Sequence, residues 1–146
     1  MQKLRDESRM FAEMLDTCND KLKHTPEDTR SIRLRSVIYT VDKMYDEAIA
    51  DLNVVLKKSP EDLSAYYLRA DCYFNKEEYD LAKQDYLRAL KIQFQDDKEE
   101  TEFIEGYTEE IISKATMDNE KEKSRIRKIL EHEKNRVILS YFPDFK

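Results

Sequence analysis

The chain has 146 residues, of which 40% are hydrophobic and 40% charged, a balance that suits one helical domain with a buried core and densely charged outer faces. A single Gly and three Pro leave little from which to build tight β-turns, so the expected class is all-α. The net charge of -6 argues against a general nucleic-acid surface, which needs basic residues in excess.

The start, Met1-Gln2-Lys3-Leu4-Arg5-Asp6-Glu7, lacks the apolar core of a secretory signal, and no apolar run approaches the roughly 18 residues that span a bilayer. The expected setting is cytoplasmic, without membrane contact. Residues 3 to 22 follow one helical pattern, with Leu4, Phe11, Leu15, Cys18 and Leu22 on a stripe, and Pro26 closes it. Residues 29–60 and 63–94 are each a helical hairpin in pattern. Gln95-Asp96-Asp97 supplies a loop and a helix cap, after which Phe103, Ile104, Tyr107 and Ile111 form a stripe over residues 98–117.

A last helix, residues 119–141, carries Ile126, Ile129, Leu130, Val137, Ile138 and Tyr141. Glu133 and Lys134 interrupt that stripe, so the helix is expected to cap the array along only part of its length. Ile126, Ile129 and Leu130 would cover the edge left by Phe103, Tyr107 and Ile111. Val137, Ile138, Tyr141 and the tail Tyr141-Phe142-Pro143-Asp144-Phe145 would then be free for a partner or for self-association with a second copy.

No constellation in the sequence points to catalysis, a metal or another cofactor. Cys18 and Cys72 have no metal-type spacing between them or with His24 and His132, and read as reduced core thiols. His132 has Glu131 and Glu133 adjacent in sequence, which places the three on different faces of a helix. Asp96, Asp97, Glu99 and Glu100 lack the glycine and ligand spacing of a calcium loop and suit a helix cap and first turn instead.

The sequence repeats itself at a shift of 34 residues. Pro26-Glu27-Asp28 recurs as Pro60-Glu61-Asp62, and Leu34-Arg35 as Leu68-Arg69. Tyr39, Tyr45, Asp46, Ala48 and Asp51 recur as Tyr73, Tyr79, Asp80, Ala82 and Asp85. Leu22-Lys23, Leu56-Lys57 and Leu90-Lys91 mark three levels of the same register. Tyr107 lies 34 residues after Tyr73, but Ser113 and Thr116 then replace the Tyr and Ala of the pattern, so this unit is degenerate.

In these residues the chain resembles the tetratricopeptide-repeat (TPR) family. Residues 63–94 fit its signature through Tyr66, Ala70, Tyr73, Tyr79, Ala82, Tyr86 and Ala89-Leu90. Residues 29–60 fit through Ile32, Ser36, Tyr39, Tyr45, Ala48, Leu52, Val55-Leu56 and Pro60. Arg35 and Arg69 depart from it, standing where the generic signature has Leu, as does Phe94 in place of Pro. The resemblance implies hairpins stacked as a short right-handed superhelix, with residues 1–26 a partial first repeat, 98–117 a degenerate repeat helix and 119–141 a capping helix, in one domain over 1–146. Each hairpin buries its apolar face only by stacking on its neighbours.

The resemblance also implies a function: a non-enzymatic adaptor or scaffold that binds a peptide or amphipathic helix of a partner protein in its concave groove. The first helix of each hairpin lines that groove in this family. Carried over, the lining is Arg30, Arg33, Leu34, Val37 and Val41 from one repeat and Ser64, Tyr67, Leu68, Asp71 and Phe74 from the next, with Lys98 beyond; the arginines would favour an acidic flank. A second reading is a self-assembling structural subunit whose terminal helices fill the groove. A third follows from Tyr66-Tyr67-Leu68-Arg69-Ala70, which resembles the co-chaperone branch that grips a partner's C-terminal carboxylate. The slots of that clamp hold Arg33, Val37, Leu68, Lys98 and Glu102, so only Arg33 and Lys98 keep the charge and both Asn donors are lost.

Overall fold

The computed structural model describes residues 2–95 and 120–143, and the elements among them are all α-helices. They are α1 (Gln2–His24), α2 (Thr29–Val41), α3 (Tyr45–Lys58), α4 (Leu63–Asn75), α5 (Tyr79–Gln93) and α6 (Glu120–Tyr141). The helix expected over 98–117, with Phe103, Ile104, Tyr107 and Ile111, lies outside the described residues, as do Lys98, Glu102 and the tail from Asp144.

The 34-residue register is visible as repeated local chemistry. Pro26-Glu27-Asp28 and Pro60-Glu61-Asp62 each end in a helix cap. The Asp62 carboxylate accepts the Ala65 N–H at 3.0 Å. Asp28 instead accepts the Ser31 hydroxyl at 2.6 Å and lies 3.1 Å from the Lys21 ammonium, and these two partners hold its carboxyl below the usual range. The turns inside the hairpins match as well. Met44 N–H reaches Tyr39 O at 2.8 Å and Lys43 N–H reaches Thr40 O at 3.2 Å; Glu78 and Glu77 do the same to Tyr73 and Phe74 at 2.9 and 3.0 Å. This is the double closure that satisfies the last carbonyls of a helix, and it forces Lys43 and Glu77 to φ of 61° and 64° without the benefit of glycine.

The two arginines that depart from the signature have a shared explanation. Arg35 on α2 donates Nε and Nη2 to the two Asp51 carboxylate oxygens on α3 at 2.8 and 2.7 Å, and its Nη1 to Asn19 on α1 at 2.9 Å. Arg69 on α4 repeats this with Asp85 on α5, both at 2.6 Å, and with Asn53 on α3 at 2.8 Å. Each arginine therefore ties its own hairpin together and reaches back to the helix before it. Asn19 precedes Asn53 by one register step, so α1 meets α2 as α3 meets α4. The paired carboxylates hold both guanidinium groups above their ordinary pKa against the opposing effect of burial.

Close helix approach is provided by Ser36, Ala48, Ala70 and Ala82, all buried, where a larger side chain would separate the helices. The core has two parts. One gathers Phe11, Ile32, Val37, Ile38, Leu52, Val55 and Leu68, and the other Tyr67, Ala70, Phe74, Ala82 and Ala89. Both are completed by α6, which supplies Val137 and Ile138 to the first, with Phe142 just beyond its end, and Leu130 to the second.

That placement corrects the expectation of a helix that caps over only part of its length. Val137 and Ile138 are 3% and 2% exposed, so the distal cluster is core and not a free patch. Glu133 and Lys134 do not break the stripe. Leu130, Lys134, Val137, Ile138 and Tyr141 follow a 3.6-residue period along one face, and Lys134 belongs to it because a carboxylate waits opposite.

Candidate functional site

The first helices of the two hairpins, α2 and α4, present the side chains expected to line a groove, and α6 lies chiefly along α4 on this face. Its course can be followed residue by residue. The Lys123 ammonium stands 4.8 Å from the Tyr79 ring centre, and the Arg127 guanidinium 5.4 Å from that of Phe74. Leu130 enters the cluster of Tyr67, Ala70 and Phe74. Lys134 approaches Asp71, with Nζ 3.7 Å from Oδ2. Phe142, just past the end of α6, meets the Phe11 ring of α1 edge-on at 5.3 Å. The helix thus runs from the second hairpin back to α1.

The ten described residues of the expected lining fall into two groups. Val37, Tyr67, Leu68, Asp71 and Phe74 are buried in the fold that α6 completes. Arg30 is exposed, while Arg33, Leu34, Val41 and Ser64 are half-buried along the rim. Arg33 is already engaged: it pairs with Asp62 at the cap of α4, and its positive charge bears on the Tyr141 hydroxyl of α6, opposing the rise that burial causes there. Between α6 and the groove wall a cavity of about 140 Å³ remains, lined by Arg33, Val37, Leu68, Val137, Ser140 and Tyr141 among others.

Electrostatics single out Asp71. Its side chain is 3% exposed, and Oδ2 accepts no hydrogen bond. Burial pushes its carboxyl up to about 6; Lys134 opposes that rise and Glu131 adds to it. Tyr67 and Tyr141 are likewise raised by burial, with the Tyr67 hydroxyl donating to Gln93 Oε1 at 2.7 Å. Cys72 is pushed up to about 12 by burial and lies 3.6 Å from Thr40 Oγ1, which makes it a packed thiol with little nucleophilic character at neutral pH. Among the described residues no group of His, Cys, Asp and Glu is arranged to hold a metal ion, and no helix is long and apolar enough to cross a membrane.

The sequence leaves the groove either open to a partner or filled by the chain's own terminal helices, and in the structure α6 packs on Val37, Leu68 and Asp71. Leu130, Lys134, Val137 and Ile138 face Asp71, Leu68 and Val37, and the available signal was the spacing itself, once a lysine within an apolar stripe is matched to an aspartate within another. Of the carboxylate-clamp slots, Val37 and Leu68 are buried and apolar and offer no donor, Arg33 is committed to Asp62, and Lys98 and Glu102 lie outside the described residues.

A family model described as Tetratricopeptide repeat matches residues 63–96, the segment of α4 and α5. Comparisons with curated proteins and with solved structures gave no match. Such repeats are protein-interaction modules and in general not catalysts, and their hallmark 34-residue register is carried here by capping, turn and arginine contacts in both hairpins. Residues 63–96 thus match a tetratricopeptide repeat, and the all-α fold of the described residues is consistent with a helical repeat of that kind.

Proposed function

We propose that the chain is an adaptor or scaffold that holds a helix of another protein in the groove of α2 and α4, without chemistry of its own. The seating of α6 supports this reading most: an amphipathic helix already fits against Val37, Tyr67, Leu68 and Phe74, with a cation set toward Asp71. A partner helix using the same surface would take the place of α6, with Leu34, Val41 and Ser64 at its edges and Arg30 favouring an acidic flank. The two buried free thiols fit a reducing, cytoplasmic setting.

The same occupancy favours a second reading, a structural subunit whose groove is filled for good and whose outer faces assemble. A photo-crosslinking residue at Arg30 or Val41 on the rim, compared with one at Arg88 on the exposed side of α5, separates the two in cells. The adaptor reading expects crosslinked partners from the rim positions. Crosslinks confined to Arg88 would contradict it and favour the structural subunit.

A further inference from the structure

We propose that the groove is shaped for a helix from a different protein, one that presents an arginine to Asp71 and a bulky apolar side chain to the hollow beside Leu68, and that α6 is a resident which such a helix displaces. The inference rests on the groove being a helix receptor, as argued above. Two misfits between α6 and its seat carry it.

The first is at Asp71, whose side chain is 3% exposed while its Oδ2 lacks a hydrogen bond and Lys134 stops 3.7 Å short of it. A buried carboxylate oxygen without a hydrogen bond is costly to keep charged. A guanidinium in place of the ammonium is planar and can meet both carboxylate oxygens at once. This fold already uses that solution twice, at Arg35 with Asp51 and at Arg69 with Asp85.

The second misfit is the cavity of about 140 Å³ between the groove wall, with Val37, Leu52, Ala65 and Leu68, and the end of α6. Here α6 offers Ser140, whose hydroxyl turns back to its own helix and donates to Val137 O at 2.6 Å. Arg33, Ser64 and Tyr141 line the cavity beside these aliphatic groups, and a space of this size, on the order of 150 Å³, accepts a benzene-sized group. A leucine or phenylalanine one turn and a half beyond the arginine would fill it. A second copy of this chain brings the same Lys134 and Ser140, and therefore the same two misfits, which points to a different protein as the occupant.

The test uses the full chain and synthetic 22-residue helices. One has the sequence of Glu120–Tyr141, a second carries Lys134→Arg with Ser140→Leu, and a third Lys134→Glu with Ser140→Leu. Affinity is read by fluorescence anisotropy and release of the chain's own α6 by hydrogen exchange. The expected result is binding of the Arg/Leu helix at least tenfold tighter than the native-sequence helix and the Glu/Leu helix, with loss of exchange protection in α6. In a chain carrying Asp71→Asn the advantage of Arg over Glu should shrink. Equal affinity of all three helices would overturn the proposal and leave the groove a receptor fitted to α6. No binding by any of them, with α6 still protected, would overturn the helix-receptor reading as well. A solution mass that doubles with concentration and is reversed by the native-sequence helix would assign the groove to a second copy and also overturn the proposal.

Discussion

Lys134 on α6 sits with its ammonium 3.7 Å from the carboxylate of Asp71 on α4, so that a charge on the terminal helix faces a charge on the repeat. Burial acts on this carboxylate more strongly than the lysine does, so its pKa stands at about 6, above the ordinary value of 3.8. A carboxyl whose pKa is raised by folding stabilises the fold most below its unfolded pKa. That contribution is lost as pH rises through about 6.

Asp71→Asn should therefore stabilise the chain at pH 7.5, by about 1 to 3 kcal/mol. The gain should fade on acidification and be small at pH 4, where the native carboxyl is protonated in the folded chain and partly so in the unfolded one. Melting curves of the two chains at pH 4, 5.5 and 7.5 check this. A variant that melts lower than the native chain at pH 7.5 would mean that the pairing with Lys134 outweighs burial.

Arg69→Met should cost about 3 to 5 kcal/mol, because it strands the buried Asp85 carboxylate without its guanidinium. Arg69→Met together with Asp85→Leu should recover most of that loss, since the charge is then removed with its partner. Denaturant unfolding of both variants decides it. Equal losses for the single and double variants would show that the arginine acts through packing alone.

Much of this arrangement was legible in the sequence. The 34-residue recurrence of Leu-Arg, Tyr, Ala and Asp gave the hairpins their register because each repeated residue does the same physical job twice: Asp51 and Asp85 answer Arg35 and Arg69. The course of α6 was not legible, because an apolar stripe says that a helix buries a face and not against which surface. Lys134 looked like an interruption until Asp71 was seen opposite it. Val37 and Leu68 pack in the core part that Val137 and Ile138 of α6 complete, and the register carries no information on what covers them.

Lys43→Gly and Glu77→Gly should each stabilise the chain by roughly 0.5 to 1 kcal/mol, since both residues hold a left-handed conformation that glycine adopts without a Cβ clash. Thermal melts at neutral pH read the gain. A loss in either variant would show that its side chain contributes more than its backbone strain removes.

Ala82→Leu should cost roughly 1 to 3 kcal/mol by overpacking, as Ala82 is 1% exposed within the second hairpin and leaves no room for three more carbons. Ala48→Leu, at the same step of the first hairpin and fully buried, should behave alike. Parent-like melting of either would contradict the close approach of the helices there.

Ending the chain after Lys134 removes Val137, Ile138 and Phe142 from the core, a loss on the order of 5 kcal/mol before the exposure of Val37 and Leu68 is counted. Such a chain should melt far below the parent or aggregate, and ending it after Asp118 should be worse. A shortened chain that keeps the parent's melting temperature would show that the distal half of α6 is dispensable.

The central claim is that α6 lies in the groove of its own chain, and methyl and aromatic NMR contacts in the isolated monomer test it most directly. The account predicts cross-peaks from the Val137 methyls to those of Val37 and Leu68, and from the Phe142 ring to that of Phe11, together with helical shifts through residues 120–141. Absence of those cross-peaks, with α6 shifts at random-coil values, would contradict it.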